Sequence, residues 1–353
     1  LLQKLKKLAK YLLSIGWIRR TYQTFTRTLV ELGAMNRLFS TAYSFIAFLT
    51  FNREQYAVLR ARRNYYRNMR KGRRTHVELR RNIHRLEKGA IMQPRRPVFA
   101  RDYIEETLDF YEAAMKQRST NSKSLDDSEI QWAHDVLSRY FELNATTDSN
   151  IEIQRERFNK TLKSYHPKSK ILKAPFLRKD GTKSNVTYDE LLNLSLQRRS
   201  VRWFQDKVVP RKLIDKAMMI GRQAPTACNR LPYEFMIFDD PTMVKKVASI
   251  PFGTAGYSHQ IPSIIVVVGK LESYFSPRDR HAIYIDSSLA AMSFMYGLET
   301  LGLSSSVVNW PDFEPLEIKM QKTLGLSVSD RVIMLIAVGY ADENASIPFS
   351  QKK

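Results

Sequence analysis

Two short stretches decide how this chain is to be read: Gln197-Arg198-Arg199-Ser200-Val201-Arg202 (QRRSVR) and, some 25 residues later, Pro225 to Phe235 (PTACNRLPYEF). The first places Arg198, Arg199, Ser200 and Arg202 within five positions. Guanidinium forks bind phosphate oxygens in pairs and a serine hydroxyl adds a hydrogen bond, so this set is suited to gripping a phosphate dianion. The same residues also fit an exposed kinase-substrate site or ordinary surface. In the second stretch two prolines bracket a turn that runs straight into an apolar strand. Pro225 fixes the backbone direction, Thr226 and Asn229 offer hydrogen bonds to the edge of a polar heterocycle, and Ala227 lets the chain approach a flat ring closely. Alone, it reads equally as a loop with an Asn turn.

Outward from these stretches, TYDELLNLSLQRRS (from Thr187) and VPRKLIDKAMMIGRQ (from Val209) have helical patterning, the second with Pro210 near its start, where a missing N–H costs little. YEFMIFDD, SIIVVVG, SSSVVNW and RVIMLIAVGY are short and rich in β-branched residues, and predict strands. IYIDSSLAAMSFMYGLETLG predicts a long helix, apolar nearly all round and ended by Gly302. Such a helix must be covered on most sides, which in a domain this small points to a subunit interface.

Taken in this order and at this distance, the two stretches resemble the nitroreductase superfamily, whose members pair an RRSxR-like entry with a P-S-x-x-N-x-Q-P-W-x-F segment. Here Thr226 stands in place of Ser, Leu231 in place of Gln, with loss of an amide, and Tyr233 in place of Trp. The resemblance implies an α+β fold over Thr187 to Lys353, a mixed sheet flanked by helices, binding FMN between the subunits of a homodimer. It implies phosphate and ring contacts from Arg198, Arg199, Ser200, Arg202, Pro225, Thr226, Ala227 and Asn229, with Arg202 near flavin N1 and O2. Asn309 and Trp310 fall where the family presents backbone N–H groups to flavin N5, a contact that needs no particular side chain. Lys352 or Lys353 is the expected phosphate contact past the last strand. Arg202, Asn309 and Trp310 are thus the implied catalytic positions. No G-x-G-x-x-G follows a strand, which excludes a Rossmann dinucleotide site; the resemblance instead implies that NAD(P)H passes hydride through flavin to a small acceptor in ping-pong order. A flavin-binding scaffold or sensor without turnover, anchored to a membrane or nucleic acid, is the alternative, and a deiodinase-type enzyme ranks behind both for want of a lid between Phe252 and Gln260.

The rest of the chain reads differently. With 353 residues, two domains are expected. Residues 1 to 101 carry 24 Lys/Arg and 4 Asp/Glu, which confines nearly all of the net charge of +22 to the first third. LFSTAYSFIAFLTF, from Leu38, is 14 residues long, short of the roughly 20 needed to span a bilayer, so it reads as a buried or an in-plane interfacial helix. Arg60 to Lys88 predicts a basic helix or helix pair, whose partners are solvent or membrane phosphate, with nucleic acid less favoured. HRLEKG at His84 is ordinary helix-surface pairing. RDYIEETLDFYEAAMKQ predicts a helix with acids in its first turn. A Lys-, Pro- and Gly-rich stretch between Ser164 and Val186 marks the boundary between a basic, mainly helical region, 1–180, and the flavin domain, 187–353. The single cysteine, Cys228, excludes an internal disulfide and any iron–sulfur cluster, and suits a reducing cytoplasmic setting, while the basic residues 1 to 101 suit peripheral contact with an anionic membrane. Leu rather than Met at position 1 leaves room for a preceding segment. His259, His281 and Asp286 fit no zinc spacing and read as structural.

Overall fold

A computed structural model describes residues 11–350 apart from 13, 47, 71–75, 120–125, 145–147, 163–164 and 166–170. Its centre is a four-stranded sheet of β1 (Tyr233–Phe238), β2 (Ser263–Lys270), β3 (Ser304–Asn309) and β4 (Asp330–Gly339), in the order β1-β2-β4-β3. All four predicted strands form. Their pairings are antiparallel, so the expected mixed character rests, among the described residues, on one isolated parallel bridge, Ser200 with Ser305.

The sheet is buried on both faces, which is why β2 reads as an unbroken apolar run rather than an alternation. Ile265 and Val267 of β2, with Ile336 and Val338 of β4, face a layer built from α9 (Arg211–Gly221) and α11 (Ala282–Glu299). Ile264, Val266, Val268, Leu335 and Ala337 face the opposite layer, which holds α10 (Pro241–Ala248) and α12 (Glu314–Leu324). α8 (Tyr188–Gln197) opens with a capping box, Thr187 with Glu190, and lies against α11.

The N-terminal helices are α1 (Gly16–Ala34), α2 (Arg37–Ile46), α3 (Phe48–Arg70), α4 (Val77–Ala90), α5 (Ile104–Ser119), α6 (Asp127–Leu143) and α7 (Ser149–Leu162). α4 to α7 share their own core around Ile83, Leu108, Tyr111, Leu137 and Tyr140. α3 does not belong to it. Its Ala57, Val58 and Ala61 sit in the core beneath the sheet, Arg62 Nε donates to Phe275 O at 3.0 Å, and Arg53 Nη2 pairs with Glu317 at 2.9 Å. The basic run from Arg60 is therefore more than a solvated face: part of it clamps the half that carries the sheet. The apolar run from Leu38 is divided between α2 and α3, and its Leu38 and Phe45 are 76% and 74% exposed, contrary to the buried-helix alternative. Among the described residues no helix is long and apolar enough to cross a membrane.

Candidate functional site

The arginine cluster begins where α8 stops. Arg198 leaves the helix in an extended conformation, and Ser200 then bridges to Ser305 of β3, with Val201 N donating to Ser305 O at 3.1 Å. Val201 and Phe204 are buried and pin the segment from below. Gln260 pins it from the side, its Oε1 accepting from Phe204 N at 2.8 Å and its Nε2 donating to Arg202 O. With the backbone held, the three basic side chains differ in exposure: Arg198 and Arg199 are half-buried and Arg202 is in solvent. Arg202 is exposed, with one long bond, 3.5 Å, to Ser200 O. Arg199 donates to Phe349 O and lies 5.9 Å from that ring. Arg198 stands near Glu299, yet its Nε is buried without a partner among the described residues. A buried donor left unpaired is costly, so this group is one that a bound anion would satisfy.

The turn is built on left-handed backbone. Cys228, Asn229 and Leu231 have φ of 55°, 53° and 51°, a conformation Asn tolerates and Leu does not readily adopt. Four hydrogen bonds hold it: Asn229 N to Thr226 O at 3.0 Å, Arg230 N to Ala227 O at 3.3 Å, Leu231 N to Thr226 Oγ1 at 3.2 Å, and Ala227 N to Asp286 Oδ2 at 2.8 Å. Thr226 thus spends one acceptor site inside the turn. Asp286, near the start of α11 and 4% exposed, also accepts from Tyr274 Oη at 3.3 Å. Burial raises its pKa, and the two donors oppose that shift. The acid read from sequence as structural is the anchor of this turn; its one signal was a carboxylate within the apolar first half of the helix. Arg230, 3% exposed, lies 4.8 Å from the Tyr274 ring behind it. α4 packs against the same turn, so the helical region touches the site from outside.

The two stretches are not brought together within one chain. The turn is tied to the start of α11 through Asp286, whereas the arginine cluster lies at its end, where Gln197 Nε2 donates to Glu299 at 3.3 Å. Thirteen residues of helix separate Asp286 from Glu299, about 20 Å at 1.5 Å per residue. In its first half α11 leaves Ile285 and Leu289 exposed.

At the end of β3, Asn309 is exposed and Trp310 turns inward, 7% exposed, its Nε1 donating to Glu317 Oε1 at 2.6 Å. Of the two readings of Trp310, core and lid, the structure has the core. Lys352 lies outside the described residues. His259 meets Trp203 edge-on and His281 stands at the N-cap position of α11 without a side-chain capping bond; no group of three or more metal-ligating side chains occurs among the described residues.

The Nitroreductase family model matches residues 196–255 and 242–340. A protein of Methanothermobacter thermautotrophicus named "Putative NADH dehydrogenase/NAD(P)H nitroreductase" is 27% identical over 170 residues, covering 47% of this chain and 83% of the relative. The iodotyrosine deiodinase of Haliscomenobacter hydrossis is 25% identical over 189 residues, covering 44% and 81%. An FMN-dependent nitroreductase from Clostridium difficile aligns in structure over 45% of this chain and 92% of its own, with 20% identity and a TM-score of 0.40. The matched span holds the arginine cluster, the turn and all four strands, and the C-terminal half of this chain is a domain of the nitroreductase family.

Proposed function

We propose that the chain is an FMN-dependent oxidoreductase acting as a homodimer, with two composite sites. The observation that carries this reading is the separation of the two halves of the site by the length of α11. Two copies packed antiparallel along α11, with the exposed Ile285 and Leu289 of each against the last turns of the other's helix, would set the arginine cluster of one beside the turn of the other, and cover side chains that α11 otherwise leaves in water.

The residues present suit the cofactor. Arg198, with its unpaired buried Nε, and Arg199 and Ser200 would hold the phosphate, helped by Lys352. Pro225, Thr226, Ala227 and Asn229 would border the ring, the small Ala227 side chain permitting close approach. Arg202 places positive charge where negative charge develops, and Asn309 offers its backbone at the end of β3, with Trp310 fixing that end from within. Bound there, FMN would supply hydride transfer from NAD(P)H to a small acceptor in ping-pong order. The proposed division remains a helical region, 1–180, and a flavin domain, 187–353, with α3 contributing to the core of the second. The working setting is the cytoplasm, with the basic N-terminal third at an anionic membrane surface.

Purified protein should carry flavin absorbance and oxidise NADH or NADPH when given a nitroaromatic or iodotyrosine, the two acceptor classes named among its relatives. Flavin binding with no NAD(P)H oxidation would assign the scaffold reading. Colourless protein that does not take up added FMN would remove the flavin proposal altogether.

A further inference from the structure

α1 and α2 form a helical hairpin closed by Gly33, where an added Cβ would lie 3.0 Å from Tyr43 Cβ. The hairpin has almost no interior: Gly33 is the buried residue of α1. Its large apolar side chains point into solvent, with Trp17 71%, Phe25 62% and Phe45 74% exposed, and Leu32 and Leu38 beside them. They are not scattered. At 100° per residue Trp17, Phe25 and Leu32 fall within an arc of about 80° on α1. Arg20 and Arg27 flank that arc, about 60° and 80° from Trp17, Arg19 lies opposite it, Arg37 is exposed as well, and Glu31 is the one acid between Gly16 and Ile46.

We infer that this hairpin lies in the plane of an anionic membrane leaflet, its aromatic and aliphatic side chains in the headgroup–acyl boundary and its arginines among lipid phosphates. An apolar stripe beside a basic face is what in-plane binding requires, and Trp and Tyr favour that depth. Charge decides between occupants. Residues 1 to 101 sum to +20, so two such regions repel one another, whereas an anionic leaflet attracts them. A nucleic acid duplex would engage the arginines but leave Trp17, Phe25 and Phe45 in water. The inference deepens the docking element of the proposed function and is independent of its flavin chemistry.

Flotation of the full chain with phosphatidylcholine vesicles, with and without phosphatidylglycerol, tests it. The protein should float only with the anionic vesicles, and added salt should weaken binding. Arg19→Gln with Arg20→Gln should weaken it about fivefold per arginine removed. Phe25→Glu with Leu38→Glu, both exposed and therefore harmless to the fold, should abolish flotation while flavin content and far-UV circular dichroism stay unchanged. Equal flotation on neutral and anionic vesicles, no flotation of the parent chain, or full retention by the Phe25/Leu38 variant would overturn the inference. So would absence of vesicle binding combined with a change of oligomeric state in that variant, which would make the face an interface between copies. Duplex DNA binding without vesicle binding would overturn it equally.

Discussion

Asp286 is the residue on which the turn depends. Its carboxylate is the partner of the Ala227 amide, and of the three neighbouring residues with left-handed backbone, Cys228 and Leu231 adopt a conformation that their own preferences would not sustain. Removing the acceptor leaves a partly buried N–H unpaired, which costs about 1–3 kcal/mol. Asp286→Ala should therefore lower the melting temperature, and, because the turn is a proposed wall of the flavin site, weaken flavin binding about tenfold, since a displacement worth ~1.4 kcal/mol suffices. Asp286→Asn, which keeps an oxygen acceptor, should lose much less. A flavin titration of both variants decides: equal affinity in all three proteins would show that the turn does not contact the cofactor. Little of this was legible from the chain. The motif placed Pro225 to Asn229, but a lone acid in IYIDSSLAAM has no spacing partner, and its role exists only because the fold carries the α11 start to the turn.

Among the elements, α3 shows where sequence reading fails and why. The four strands could be read because β-branched runs have one use in a buried sheet. α3 carries so many arginines that its pattern reads as a solvated face, while the residues it buries, Ala57, Val58 and Ala61, are too small to make a stripe. Arg53 fastens it: Glu317 is 1% exposed and receives both Arg53 and the Trp310 indole, with Arg331 4.0 Å away. Breaking a buried pair from one side leaves an uncompensated charge, at about 3–5 kcal/mol. Arg53→Met should lower urea resistance by that order, and Glu317→Gln added to it should recover part of the loss; an unchanged unfolding midpoint in Arg53→Met would refute the clamp. The helical layer has its own acid sensitivity. Burial, aided by the positive charge of Arg80, depresses His76 from 6.5 to about 4, and burial also lowers His134. The unfolded chain then binds protons that the folded chain refuses, so stability is complete above about pH 6.5 and falls as pH drops toward 4, by on the order of 3 kcal/mol for His76. A His76→Gln variant should show a flatter profile of melting temperature against pH over that window; an identical profile would shift the effect to other groups.

At the scale of the whole molecule, the question is whether the site belongs to one chain or two. α11 is apolar nearly all round because one face meets the sheet while Ile285 and Leu289 await cover, and the same helix holds the arginine cluster and the turn about 20 Å apart. Ile285→Glu with Leu289→Glu should yield a monomer by sedimentation that keeps its circular dichroism but loses flavin. Complementation is the sharper measurement. A chain with Arg198→Ala and Ser200→Ala lacks the phosphate grip but keeps the turn, and an Asp286→Ala chain has the reverse defect. If each site draws its arginines from one copy and its turn from the other, a mixed dimer has one site built wholly from sound halves and one wholly from damaged halves. Unfolding, mixing and refolding the two variants in equal amounts gives half mixed dimers, so about a quarter of all sites should regain tight flavin binding. If both halves came from the same chain, every site would keep one defect and mixing would restore none. Flavin fluorescence before and after mixing separates these outcomes without any knowledge of the acceptor, and a null result would require the turn and the arginine cluster to serve different ligands.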